Sequence, residues 1–422
     1  MTTLQRSIGV WQGVALYIGA VLGPGMLVLP AIAAEIAGPA SLVAWGFMVA
    51  LSLPIALTFA ALGRAYPEAG GFSAFAERAF GPTAGALAGW AFYFTMMWGF
   101  PFPVLIAGQY GAAVFGLGRD WVYIIGGVVT LAGLVVNYFG LRLSGRTQVV
   151  ATSVTIAIVA VAVAGALPRI SASEFQPFMP FGALPIGLAA AQLFTAFVGW
   201  EVITPLAEEF HNPERDIRRA TLAAVGVVAI LYGALAVATV GTRAYGETLQ
   251  GTPPLGAMAA QTFGIGAQQI VGIVAVFVTF ATVNAYIAGS SRLGFALGRA
   301  GQLPGWFAAL HPRWQTPHHS LACLLVGFLI STGASYVFDL KLAQVVPLLT
   351  SATIVTYLMT MAAATKLLKG AGRVWALICL VAFLMVVPFL GGYLGWIAVV
   401  MVGCLFYLRL RAPKVAEQVA DL

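Results

Sequence analysis

Residues Gly19 through Pro30 read GAVLGPGMLVLP, and residues Phe197 through Glu201 read FVGWE. Each stretch interrupts an apolar run long enough to span a bilayer, putting glycine, and in the first case proline, at membrane depth. Hydrocarbon offers no partners to backbone amides and carbonyls, so such a break survives only where protein buries it or where it lines a water-filled cavity. Paired breaks in corresponding spans mark the substrate sites of secondary transporters, whose half-helix ends face the cargo. The two stretches therefore predict a carrier.

Composition points the same way. Of 422 residues, 60% are hydrophobic and 8% charged, with a mean hydropathy of +0.94. A soluble chain of this kind would expose far more apolar surface than water tolerates. Apolar blocks recur to the end without an intervening polar domain, so one membrane domain over 1–422 is expected instead of several soluble ones. Cys323, Cys379 and Cys404 lie in apolar blocks without paired spacing, which indicates neither disulfides nor zinc. The net charge of +7 comes from basic residues scattered between hydrophobic segments, so no nucleic-acid partner is expected. No P-loop or zinc-protease motif supports ATP-driven pumping or proteolysis, and no cofactor is expected.

A helix needs roughly 20 residues to cross about 30 Å of hydrocarbon. Twelve blocks qualify, near 9–36, 41–63, 83–117, 121–140, 144–167, 184–208, 220–242, 266–297, 320–338, 343–367, 374–390 and 393–410. With the amino terminus in the cytoplasm, only Arg119, Arg169, Arg243 and Lys341 of the 21 basic residues fall outside, as the positive-inside rule requires. This predicts an all-α multi-pass protein of the inner membrane with both termini cytoplasmic. Arg6 ahead of an apolar run, with Ala31-Ile32-Ala33 behind it, also has the form of a cleavable signal. The run is too long for a signal core, and its removal would leave an odd number of spans.

The breaks fall in the first and sixth spans. Two five-helix repeats, about 9–167 and 184–367, would then enter the membrane from opposite sides, with two additional helices at about 374–410.

The chain resembles the amino acid-polyamine-organocation superfamily. The likeness is carried by Gly19–Pro30, by Gly63–Phe75 (GRAYPEAGGFSAF), by Phe197–Ala220 (FVGWEVITPLAEEFHNPERDIRRA) and by Ser291–Pro304 (SRLGFALGRAGQLP), in the right order. It implies the LeuT-like fold of two inverted five-helix repeats with broken helices 1 and 6. Shorter matches at Leu62–Arg64, Tyr66-Pro67, Ala69–Gly71, Ala79–Gly81, Gly89-Trp90 and Ala244–Glu247 are similar to bacterial exporters of methionine and branched-chain amino acids.

The chemistry of the breaks can be read independently. Amides that open a half-helix carry partial positive charge and suit a carboxylate, while unwound carbonyls suit an ammonium. A free α-amino acid carries both groups. The resemblance places the carboxylate at the amides of Gly23, Gly25 and Met26, and the ammonium near the carbonyls of Val21, Thr195 and Val198. Pro24 departs from the usual pattern, because a small hydroxyl residue commonly stands there and proline has no amide proton. A packing kink among small residues is the plain alternative.

Phe194, Phe197 and Trp200, with Tyr93, Met96, Met97 and Trp98, offer an apolar pocket and gate, although such residues more often serve packing. Gly199 and Glu201 complete the second break. A mid-membrane carboxylate is a functional candidate by default, and Glu201 matches the superfamily's helix-6 glutamate, so it is assigned proton coupling or gating, with bracing of the unwound backbone as the alternative. No other acidic residue is placed to recognise a second positive charge, which favours neutral substrates. Proton-linked relatives often carry a lysine in the fifth helix, and none stands between Leu143 and Leu167, where Arg146 lies too near the edge to replace it. Thr279 and Thr282 are the hydroxyls available for a cation site of the sodium-linked kind.

On the cytoplasmic side, Pro67 through Gly71 reads as a tight turn shaping the inner gate, and Glu208, Glu209, Glu214 and Asp216 with Arg215, Arg218 and Arg219 as an ion-paired rim. His211 and Asp216 have the His-x4-Asp spacing of acyltransferases, without a companion motif. His311, His318 and His319 lack the carboxylate or cysteine partners of a metal site. The expected partners are an amino-acid substrate, protons, surrounding lipid and a second copy of the chain in a homodimer. The expected function is export of neutral apolar amino acids. An importer or exchanger of another amino acid or amine and a membrane amino-acid sensor are the alternatives.

Overall fold

The computed structural model describes residues 9–66, 71–140, 145–201, 210–246 and 252–420. Arg6, Pro67, Glu68, Ala69, Gly70, Arg142, Glu208, Glu209 and Glu247, which the sequence reading used, lie outside the described residues, as does the side chain of Arg146. Within them the regular elements are helical, as a chain surrounded by lipid requires if its backbone is to satisfy itself.

The helices run in the order α1 (Val10–Val21), α2 (Leu29–Ala37), α3 (Ser41–Ala65), α4 (Gly71–Phe80), α5 (Pro82–Gly99), α6 (Pro101–Phe115), α7 (Arg119–Tyr138) and α8 (Gly145–Ala166). They continue with α9 (Leu184–Leu193), α10 (Pro213–Gly241), α11 (Pro254–Phe263), α12 (Ile265–Arg299), α13 (His318–Val337), α14 (Leu342–Leu367), α15 (Ala371–Val386) and α16 (Leu394–Ala420). Among the described residues nine helical stretches are long and apolar enough to cross a membrane, and α1 and Leu184–Phe197 are shorter apolar helices. Several of these stretches hold more than one helix. Leu29–Ala65 is divided at Gly38, whose positive φ of 60° turns the chain from α2 into α3. Pro82–Phe115 is divided at Phe100-Pro101, where the proline cannot continue the hydrogen-bond ladder.

Two elements are absent from the sequence reading. α4 and α11 are each 10 residues long, too short to register in a search for membrane-length blocks. Both end in Phe-Gly, at Phe80-Gly81 and Phe263-Gly264. Gly81 has φ 93° and ψ 176°, and Gly264 has φ 82° and ψ 177°. Each glycine caps a long helix, α5 in one case and α12 in the other, in a conformation that side-chain-bearing residues avoid.

Close backbone approach holds α6 to α7. A Cβ placed on Gly108 would lie 1.9 Å from the carbonyl oxygen of Val122, and one on Gly126 would lie 2.0 Å from that of Val104. Each helix thus seats a glycine against the other's main chain, four residues from the valine whose carbonyl receives its partner. This is small-residue packing of the kind that joins helices in lipid. Asn137 of α7 adds a polar tie, its amide donating to Oδ1 of Asn284 on α12 at 2.8 Å.

Asp216 accepts the Asn212 amide at 3.1 Å and so closes the first turn of α10. Nδ1 of His311 receives the amides of Arg313 and Trp314, both at 3.2 Å. Among the described residues no group of three His, Cys, Asp or Glu side chains is placed to hold a metal.

Gly126→Leu is expected to cost about 3 kcal/mol or more, because its side chain must displace backbone. Gly127→Leu, whose Cβ would meet nothing nearer than Phe328 Cζ at 3.9 Å, is the control. Thermal unfolding in detergent reads the difference, and equal midpoints would remove the close-approach argument.

Candidate functional site

The first helix stops at Val21 and resumes, through a short 3-10 turn at Pro24–Leu27, as α2 from Leu29. Pro24 opens that turn, the position where a missing amide proton costs least. In the second broken segment α9 passes into a 3-10 turn at Phe194–Phe197, and the chain then leaves helical geometry, with Val198 extended and Gly199 at φ 121°.

The breaks touch. A Cβ on Gly199 would lie 2.8 Å from the carbonyl carbon and oxygen of Ala20 and 3.0 Å from the amide nitrogen of Val21. Both the positive φ and this approach demand glycine.

One cavity receives both breaks. Ala20, Val21, Gly23, Pro24 and Gly25 line it from the first, and Thr195, Ala196 and Val198 from the second. Its other walls are Phe92, Met96 and Gly99 of α5, Phe102 and Pro103 of α6 with Phe100 between these helices, Thr282, Val283 and Tyr286 of α12, and Leu349 and Thr353 of α14. Among these lining residues none carries a charge. The space open to the centre of a water-sized sphere is about 100 Å³, where one water needs roughly 10–15 Å³. A small solute fits.

The freed backbone groups are met by buried tyrosines from three different helices. The Tyr232 hydroxyl of α10 lies 3.0 Å from the carbonyl oxygens of both Val21 and Ala196, donating its one proton between the two breaks. Tyr110 of α6 donates to the Leu27 carbonyl at 2.8 Å and accepts the Leu255 amide of α11 at 3.2 Å. Tyr357 of α14 donates to Oε2 of Glu201 at 2.5 Å, and the Gly199 amide donates to the same oxygen at 2.9 Å. A buried carboxyl needs such partners, since an unpaired one costs several kcal/mol.

The residues singled out in the sequence therefore separate by position. Val21, Gly23, Gly25, Thr195 and Val198 face the cavity. Met26 is buried beside it, and its amide donates to the Gly23 carbonyl at 3.3 Å. Phe197 packs against Trp45 and Tyr232, and Trp200 against Tyr17, all buried behind the cavity wall. Phe194 lies against Tyr357 and Phe383. The Thr195 hydroxyl meets that of Thr350 at 2.6 Å, tying the second break to α14. Thr282 borders the cavity beside Gly23, whereas Thr279, buried one turn away, does not line it, and both hydroxyls donate to carbonyls of their own helix. Of the α5 residues, Met96 lines the cavity, Tyr93 bonds Ser320, Met97 packs at Gly327, and Trp98 is exposed.

Sequence reasoning missed Tyr110, Tyr232 and Tyr357. A tyrosine inside an apolar span was the available signal, because its hydroxyl must find a partner when buried.

A family model described as amino acid permease matches residues 8–407. The chain is 36% identical to the amino acid permease YecA of Bacillus subtilis over 411 residues, covering 97% of this chain and 96% of that one. It is 33% identical to the L-methionine/branched-chain amino acid exporter YjeH of Escherichia coli over 425 residues, 98% of each chain. A branched-chain amino acid permease of Bacillus subtilis, BcaP, is 26% identical over 75% of this chain and 72% of its own.

Tyr232→Phe leaves both carbonyls without their shared donor and is expected to cost about 1–3 kcal/mol, read as a lowered midpoint of thermal unfolding. An unchanged midpoint would mean that the hydroxyl does not satisfy the breaks.

Proposed function

The chain belongs to the amino acid permease family, and from that premise we propose that it is a secondary active carrier of neutral apolar amino acids, methionine, leucine, isoleucine and valine, moved outward by alternating access. Membership makes it a multi-pass membrane transporter and not an enzyme. The observation that carries the substrate reading is the single cavity: two broken helices supply main-chain dipoles of both signs, and the side chains around them are uncharged and mostly apolar. A zwitterion with an apolar side chain matches that lining, with its carboxylate at the Gly23 and Gly25 end and its ammonium at the carbonyls of Val21, Thr195 and Val198. A basic side chain finds no countercharge there. The outward direction rests on the likeness to the Escherichia coli exporter.

Alternating access in this reading uses two inverted repeats, about 9–167 and 184–367, followed by additional helices, twelve spans in all. The recurrence of a 10-residue helix ending in Phe-Gly, capped by a glycine of the same geometry, after α3 and again after α10 supports that arrangement. The distribution of basic residues supports an inner-membrane protein with both termini in the cytoplasm.

Glu201 is the proposed site of proton coupling. Its carboxyl holds the amide of Gly199, the residue whose backbone touches the first break, and the hydroxyl of Tyr357. A proton gained or lost there changes what that amide and hydroxyl bind, which is a physical route from proton to breaks.

Radiolabelled methionine or leucine in proteoliposomes, with the proton gradient imposed in each direction, tests the carrier. Gradient-dependent movement is expected, and binding without movement would leave a sensor in its place. Glu201→Gln is expected to flatten the pH dependence of flux while binding persists, and an unaltered pH profile would remove the coupling role.

A further inference from the structure

Phe92, Met96, Gly99 and Pro103 lie three or four residues apart, on one face of the bent α5–α6 span, and all four line the cavity. Only Gly99 contributes no side chain. Some buried glycines of the bundle admit a neighbouring backbone, as at Gly108 and Gly126, where an added Cβ would meet main-chain oxygen at 1.9 and 2.0 Å, and others admit a neighbouring side chain, as at Gly89 and Gly327, where it would meet Leu297 Cδ2 at 2.5 Å and Met97 Cβ at 2.7 Å. Gly99 is of the second kind. A Cβ there would meet Leu349 Cδ1 at 2.9 Å and no other atom within 4 Å, and Leu349 also lines the cavity. Its backbone φ is not positive, so conformation does not call for glycine either. In a helix glycine costs about 0.5–1 kcal/mol relative to alanine. Backbone geometry does not explain that cost; the missing side chain makes room for the tip of Leu349, and the two together form this wall of the cavity.

We infer that Gly99, with Leu349 facing it, sets the length of side chain the cavity accepts. This rests on the reading of the cavity as an amino-acid site. The breaks provide the polar wall, while α5 and α14 provide apolar surface, so a zwitterion held at the breaks can project its side chain between Met96, Gly99 and Leu349. The notch bounded by Gly99 and Leu349 takes the far end of methionine, leucine or norleucine. A methyl group at residue 99 displaces the Leu349 tip, and a tip pushed into the cavity excludes that end while leaving room for alanine or 2-aminobutyrate.

The test is a competition series on the purified full chain in nanodiscs, using alanine, 2-aminobutyrate, norvaline, norleucine and methionine. In the wild type, affinity is expected to rise about threefold to fivefold per methylene. In Gly99→Ala, norleucine and methionine are expected to weaken about tenfold or more, with alanine nearly unaffected. Leu349 Cδ1 is the tip of a flexible side chain, so Leu349→Ala in the Gly99→Ala background is expected to restore the long substrates. A loss spread evenly over the series would overturn the inference, because a merely structural glycine has no means of sorting substrates by length. Should Gly99→Ala not purify as a monodisperse protein, Leu349→Phe encroaches on the notch from the other side and is expected to truncate the series in the same way; an unchanged profile overturns the inference. A wild type that binds no member of the series defeats the amino-acid reading as well, an outcome separate from any result on the variants.

Discussion

The contact on which the site depends is between two pieces of main chain. Gly199 brings the backbone of the second broken segment against Ala20 and Val21 of the first, so closely that a single added carbon would overlap the Ala20 carbonyl. Side chains would have kept these segments apart. Because they touch, unwound carbonyls and amides from distant parts of the sequence face one cavity.

Such proximity creates a debt in hydrogen bonding, because every broken turn frees groups that lipid cannot serve. Tyrosines meet it here. Their rings pack like any aromatic residue of an apolar core, while their hydroxyls reach Val21, Ala196, Leu27 and Glu201. The arrangement gives each break a donor without placing a charge beside the cavity. Tyr110 extends it outward, since its hydroxyl also holds the first turn of α11. The 3-10 turn that leads into α2 and that short helix thereby share a partner.

How far the sequence discloses this molecule depends on the scale at which it is read. Gly23-Pro24-Gly25 and Gly199 were legible as breaks because glycine and proline have few other uses in the middle of an apolar run. That they share one site follows from reading them as a pair, but their direct backbone contact was not legible, since it depends on a fit between Gly199 and a segment nearly the length of a domain away. Hydropathy averaged over a span is blind to α4 and α11, whose 10 residues fall below its window. The aromatic residues around the second break suit either a pocket or ordinary packing, and Phe197 and Trp200 take the second role, turning toward Trp45 and Tyr17. Which way a ring points follows from the neighbours it packs against, and those neighbours lie on other helices.

The paired glycines of α6 and α7 bear on motion. Gly108 seats the Val122 carbonyl and Gly126 seats the Val104 carbonyl, so the two helices are geared at two teeth. Sliding one past the other by a residue would force a side chain into a gap that fits only a hydrogen atom. The pair must travel as a single strut. Phe102 and Pro103 ride on that strut, so any change in the shape of the cavity on this side is a displacement of the whole strut and not a shear within it.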